Sequence, residues 1–188
     1  MLRNLRSSPR DWGLVTITLH WLTAILIFIT IPLGIVAENW HLSPTKLDLF
    51  VLHKSLGLLI LAFIIFRIIW RLFNSRPDFP RNTTAIQYRL AISTHYLLYL
   101  LLILLPVSGW VINDSGNFPY KWFWLIPMPD ILAKDTGLKD VATTTHTFLV
   151  ILFVIILLLH VIAALRHHFV LHDNVLMRML GREKTKTK

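Results

Sequence analysis

Nine histidines and no cysteine set the chemistry open to this chain of 188 residues. Without a thiol, disulfides, thiolate metal sites, iron–sulfur clusters and cysteine nucleophiles are all excluded, and imidazole is the strong metal ligand present in number. Five of the nine stand in or at the edge of long apolar stretches: His20, His53, His95, His146 and His160. His146 and His160 are fourteen residues apart. On a helix that spacing is about 21 Å of rise and a rotation about 40° short of four turns, so both imidazoles face one side at different depths. Any one such histidine can equally be a packing residue bonded to a neighbouring helix, so the pattern carries the argument.

The elements that must position these residues are membrane spans. The chain is 55% hydrophobic and only 15% charged, a balance more apolar than that of soluble domains, and its length suits one domain, 1–188. Four windows of about 20 apolar residues stand out, at roughly 12–37, 49–73, 90–112 and 141–165. The first is too long for a signal peptide, and no small-residue cleavage site follows it. The expected fold is therefore an all-α integral membrane protein, a four-transmembrane-helix bundle, with a basic flexible tail at 180–188.

Charge gives direction. Arg3, Arg6, Arg10, Arg71, Arg76, Arg81, Arg89, Arg166, Arg178, Arg182, Lys184, Lys186 and Lys188 fall on one side of the four windows. Lys46, Lys121, Lys134 and Lys139 fall on the other, and Lys54 and Arg67 lie within the windows. The positive-inside bias places both termini in the cytoplasm. It also accounts for the net charge of +9 without nucleic acid, for which the sequence supplies no binding fold. The outer connection, 113–140, holds Phe118, Tyr120, Trp122, Phe123 and Trp124, and reads as a short interfacial segment lying on the outer face. The inner one, with Pro77, Pro80, Asn82 and Thr83, reads as an exposed loop.

With direction set, depth follows. His20 lies in the inner half of span 1 and His53 in the outer half of span 2; span 4 carries His146 outside and His160 inside. Two pairs at matched depth result, His53 with His146 and His20 with His160. Imidazoles facing one another across a helix bundle can fill both axial positions of a haem iron, which leaves the iron no vacant site for oxygen chemistry and suits it to electron transfer. Zinc would want three or four ligands from a compact cluster, and no span has two histidines three or four residues apart. A proton relay is the other competing reading, and it needs no pairing by depth.

Several neighbours fit the haem reading. Gly57, one turn after His53, leaves space for a porphyrin edge, although small residues also serve helix packing, and Gly34 and Gly109 share that ambiguity. Arg67, fourteen residues after His53, faces the same side at the depth of the inner pair. A haem propionate would satisfy it; snorkelling to headgroups is the alternative. Lys54 has the same two choices at the outer pair. His95 enters span 3 at the inner depth, where it can displace His20 as a ligand, bond a propionate or bind a substrate. His167 and His168 stand at the inner interface.

The chain resembles the bacterial cytochrome b561 family of four-helix dihaem membrane proteins. The likeness runs through Leu19-His20-Trp21, His53-Lys54-Ser55-Leu56-Gly57, Arg67 with Arg71, and His95 to Tyr99. It continues through Leu105-Pro106-Val107-Ser108-Gly109, the His146 and His160 spacing, His167-His168, Asp173-Asn174 and Leu176-Met177-Arg178-Met179. The resemblance implies two haem b groups with bis-histidine ligation, a bacterial inner membrane and exchange of electrons with the ubiquinone pool. In one branch it implies superoxide oxidation, in which two one-electron events reduce one quinone. Two features depart from the pattern: Thr147 stands where members often carry an acidic residue, and the acidic residues of the outer loops outnumber the basic ones, which weakens long-range steering of an anion.

The expected function is a dihaem oxidoreductase passing electrons between an outer-face donor, superoxide among the candidates, and ubiquinone. The alternative is an anchor and electron conduit for a separate dehydrogenase or hydrogenase subunit, and a third reading is a histidine-relay transporter without haem. Quinone carbonyls need donors near a haem, and Arg166, His167, His168 and His95 provide them at the inner side; Lys54 marks the rival outer position.

Overall fold

The computed structural model describes residues 5–80 and 83–181. Four long helices dominate: α1 (Leu14–Asn39), α2 (Pro44–Leu72), α3 (Ala85–Ser115) and α4 (Thr136–Phe169). A hairpin of two short strands, β1 (Lys121–Trp122) and β2 (Ile126–Pro127), lies between α3 and α4, and a five-residue helix, α5 (Val175–Met179), follows α4. All four long helices are long and apolar enough to cross a membrane, so the expected all-α membrane architecture stands. Of the basic residues that gave direction, Arg3, Arg81, Arg182, Lys184, Lys186 and Lys188 lie outside the described residues, as does most of the 180–188 tail.

The helices start where local chemistry allows. Ser43 accepts from Lys46 N at 3.4 Å just before Pro44, whose missing N–H costs nothing in a first turn. Thr84 and Gln87 form a reciprocal capping box, Thr84 N to Gln87 Oε1 at 3.0 Å and Gln87 N to Thr84 Oγ1 at 3.3 Å. Asp135 Oδ1 accepts from Leu138 N at 3.0 Å at the head of α4. These caps lie in polar sequence, so α2, α3 and α4 begin several residues before their apolar windows. Pro32 and Pro106 lie inside α1 and α3, as membrane helices tolerate. On α4 the side chains of Phe148, Ile151, Ile155, Leu158, Leu159, Ile162 and Leu165 are exposed, an apolar stripe suited to lipid.

The chain forms two compact units. The first comprises the chain up to Leu22, Ile65–Tyr99 and the chain from Phe153 onward; Leu19 and Phe153 are buried in it. The second comprises Thr23–Ile64 and Leu100–Leu152, with Ile27, Ala37, Leu56, Ile60, Ile64, Leu101, Leu102 and Ala142 buried. Each unit contains a stretch of every long helix; the second holds His53 and His146 facing one another, and the first holds His20 and His160 with His95 beside them.

Candidate haem-binding sites

In the second unit, the rings of His53 on α2 and His146 on α4 have their centres 6.5 Å apart. His53 Nδ1 lies 3.0 Å from the carbonyl of Thr30 on α1, an acceptor only, so Nδ1 carries the proton and Nε2 the free lone pair. On α3, the Ser108 hydroxyl lies 2.9 Å from the Leu105 carbonyl, to which it donates, and 2.9 Å from His146 Nδ1, from which it accepts. Both imidazoles are thereby fixed in the tautomer that offers Nε2 to a metal. A Cβ at Gly34 would stand 2.6 Å from His53 Cε1, one at Gly109 would stand 3.6 Å from His146 Cε1, and one at Gly57 would meet no atom within 4 Å.

Around this pair, Lys54 Nζ donates to Asn113 Oδ1 at 2.6 Å and lies over Tyr120, 5.0 Å from the ring centre. Its hydrogen-bond partner is neutral. The aromatic connection forms a hairpin bonded to α2: the Trp122 indole donates to the Ser55 carbonyl at 3.1 Å, and Phe123 N donates to Ser55 Oγ at 2.8 Å. Asp114, buried, accepts from Ile131 N at 2.9 Å. Burial, followed by the Asp114 carboxylate, pushes the Tyr120 phenol up to about 12.

In the first unit, the ring centres of His20 on α1 and His160 on α4 are 6.4 Å apart, and His95 on α3 stands 5.3 Å from His160. His95 Nδ1 donates to the Ala91 carbonyl one turn back. Arg67 on α2 brings Nη2 to 3.2 Å from His20 Nδ1. A guanidinium only donates, so here Nδ1 of His20 accepts and its proton sits on Nε2. For His20 to offer Nε2 to a metal, Arg67 must give up this bond for a better acceptor. Arg67 Nε is buried without a partner, and Arg67 and Arg71 both lie 5.4 Å from the centre of the Tyr99 ring. Two guanidiniums on one phenol ring are a place for an anion.

The remaining candidates divide. His167 bonds Asp173 through Nδ1, His168 Nδ1 is buried without a partner, and the Arg166 side chain is exposed. His41 stacks on Trp40 at 5.5 Å, apart from either pair. Ser108, Thr30, Ser55 and Asp173 are the site residues that spacing missed. Thr30 acts through its carbonyl, which leaves no trace in residue type, whereas Ser108, beside a helical proline and Gly109, was a readable signal.

A metal ion held at about 2 Å by a nitrogen of each ring places the ring centres roughly 6 Å apart, and both pairs meet that separation. Among the described residues no group of three or more His, Asp or Glu side chains is disposed to hold a metal ion, so the fold offers imidazole pairs. The imidazole donors with the open space at Gly57 in one unit, and with the unpartnered Arg67 Nε in the other, suit a flat, anionic macrocycle.

A sequence model of the prokaryotic cytochrome b561 family matches residues 11–182. The chain belongs to this family. It is 31% identical to cytochrome b561 homolog 2 of Escherichia coli (strain K12), over 95% of this chain and 96% of that one. It is 30% identical to the probable superoxide oxidase CybB of Yersinia pestis, over 93% and 98%. To cytochrome b561 homolog 1 of Escherichia coli (strain K12) it is 25% identical, over 89% and 96%. Membership of the cytochrome b561 family implies b-type haem, and the four apolar helices fit a bacterial membrane protein.

Proposed function

We propose that the chain binds two b haems, one between His53 and His146 and one between His20 and His160, and passes electrons from an outer-face donor to ubiquinone. Bound there, haem b supplies reversible one-electron transfer. The carrying observation is the recurrence, in each compact unit, of two facing imidazoles from different helices at 6.4 and 6.5 Å. The Thr30 carbonyl and Ser108 hold the outer rings in the ligating tautomer, and Gly57 keeps side-chain atoms out of the space beside them. Lys54 would offer a cation to propionates at the His53 pair and Arg67 at the His20 pair, and Arg67 so engaged would release Nδ1 of His20. His95 stands beside His160 as a neighbour of the inner pair. The positive-inside bias puts both termini in the cytoplasm and the His53 pair at the outer side. Superoxide is the donor that the name of the Yersinia pestis relative supports. His95, Arg166, His167 and His168 support a quinone site at the inner side.

The test is a reduced-minus-oxidised visible spectrum of the purified protein with a haem-to-protein ratio. Two low-spin b haems are expected, one lost on replacing His53 or His146 and the other on replacing His20 or His160. A ratio of one sinks the proposal, and His95→Ala removing a haem that His20→Ala retains overturns the ligand assignment.

A further inference from the structure

His167 is the one of the two adjacent histidines that shares a face with His160. Seven residues on a helix are two turns less about 20°, and about 10.5 Å of rise, whereas His168 is swung about 80° away. Beyond α4 the chain turns back. Val170 N and Leu171 N both close on the Arg166 carbonyl, at 2.9 and 3.0 Å, and His172 takes a left-handed φ of 51°. Asp173 is thereby returned to His167: its N–H donates to the His167 carbonyl at 3.1 Å, and its Oδ2 accepts from His167 Nδ1. Its other oxygen accepts from Val175 N at 3.0 Å.

Both carboxylate oxygens are committed, so the imidazole has one orientation, with Nδ1–H on the carboxylate and Nε2 as the nitrogen left for another partner. The side chains of His167 and Asp173 are 24% and 19% exposed, enough to exchange protons with water and too little to be free in it. The helix that Asp173 starts ends at the other pair: the Trp21 indole donates to the Met179 carbonyl at 2.9 Å, and the Trp21 ring stands edge-on to His20, 5.2 Å between centres. Five helical residues span about 7.5 Å. The dyad is thus held near the His20–His160 pair by a tie as well as by α4.

Resting on the reading of ubiquinone as acceptor at the inner side, we infer that His167 is the proton donor to the bound quinone and that Asp173 is its positioning residue. Reduction of a quinone to a quinol takes two electrons and two protons. The haem that His20 and His160 would hold would supply the electrons one at a time. Each proton leaves Nε2 of the imidazolium, whose N–H bond breaks with its electron pair staying on nitrogen, and forms an O–H bond at a quinone oxygen. Asp173, aligned on Nδ1–H, fixes the ring so that Nε2 is the nitrogen that delivers, and water at the exposed edge replaces the proton.

The test compares two oxidants on the full-length dihaem protein, pre-reduced and mixed in stopped flow with a short-chain ubiquinone or with ferricyanide, which takes an electron without a proton. General acid–base groups contribute typically 10²–10⁴-fold, so Asp173→Asn and His167→Gln should slow haem reoxidation by the quinone roughly 100-fold and leave the ferricyanide rate and both haem spectra unchanged. Asp173→Glu should recover a large part of the loss. Wild-type quinone rates in Asp173→Asn overturn the inference, and so does equal slowing with both oxidants, which would mark the dyad as a structural tie. If the wild-type protein reoxidises with ferricyanide but not with the quinone, the acceptor reading fails and the inference falls with it.

Discussion

At Gly34 one added carbon would stand 2.6 Å from Cε1 and 2.8 Å from Nδ1 of His53, so the ring must move and its bond to the Thr30 carbonyl must break. Gly34→Ala should therefore weaken retention of the outer haem at least about 10-fold, the scale on which groups that orient a metal ligand act. Gly109→Ala meets His146 only at 3.6 Å, an ordinary contact, and should keep both haems. Gly57→Ala meets no protein atom, so its haem-free form should melt like the haem-free wild type, yet the variant should lose the outer haem. Haem-to-protein ratios beside thermal melts check all three, and a Gly57→Ala protein with full haem content would show that the space at Gly57 is not the haem's. The histidine pairs themselves were legible, because helical rise and rotation convert sequence spacing into depth and face. Their tautomers were not. The partner of His53 is a backbone carbonyl, and the bond from Arg67 to His20 depends on which rotamers meet across two helices.

The hairpin between α3 and α4 shows how far composition reaches at the level of an element. Its aromatics were legible as a cluster, but the turn occurs at Phe123 and Trp124, which take φ values of 47° and 62° where glycine or asparagine is the usual signal. Left-handed backbone costs such residues roughly 1–2 kcal/mol each, so contacts must hold the turn, and Ser55 on α2 supplies them. Ser55→Ala leaves the Phe123 N–H without its acceptor, a loss of about 1–3 kcal/mol when buried, while the indole bond to the Ser55 carbonyl survives. Protease cleavage between Lys121 and Pro127 should accelerate in this variant with haem content retained; an unchanged cleavage rate would show that the aromatic packing alone holds the turn. Burial pushes the Tyr120 phenol, beside this hairpin, up to about 12. Its folded value lies above the unfolded one of about 10, so its contribution to stability is whole below pH 10 and is lost as the pH rises toward 12. An ultraviolet phenol titration of wild type against Tyr120→Phe should show one late-titrating group missing in the variant.

For the whole molecule, hydrocarbon thickness makes the number of spans legible: a helix needs about 20 apolar residues to cross, and each of the four windows became one long helix. The five-residue α5 was not legible, since so short a helix does not form on its own propensity and owes its place to Asp173 and Trp21. Direction rests on charge alone. The described basic residues Arg6, Arg10, Arg71, Arg76, Arg89, Arg166 and Arg178 flank one set of helix ends, while the connections at the other set carry Lys46, Lys121, Lys134 and Lys139 among Glu38, Asp48, Asp114, Asp130, Asp135 and Asp140. Lysine and arginine near span ends resist translocation, whereas acidic residues contribute little to orientation. A reporter fused after Lys188 should therefore read as cytoplasmic, and one inserted between Asp130 and Asp135 as periplasmic. The opposite pattern would exchange the faces, placing the His53 pair with its Lys54 at the cytoplasmic side and the His167–Asp173 dyad at the periplasmic side. The partners within each pair would be unchanged, but under the proposed function protons for the quinone would be drawn from the periplasm, and an external one-electron donor would meet the His20–His160 pair first.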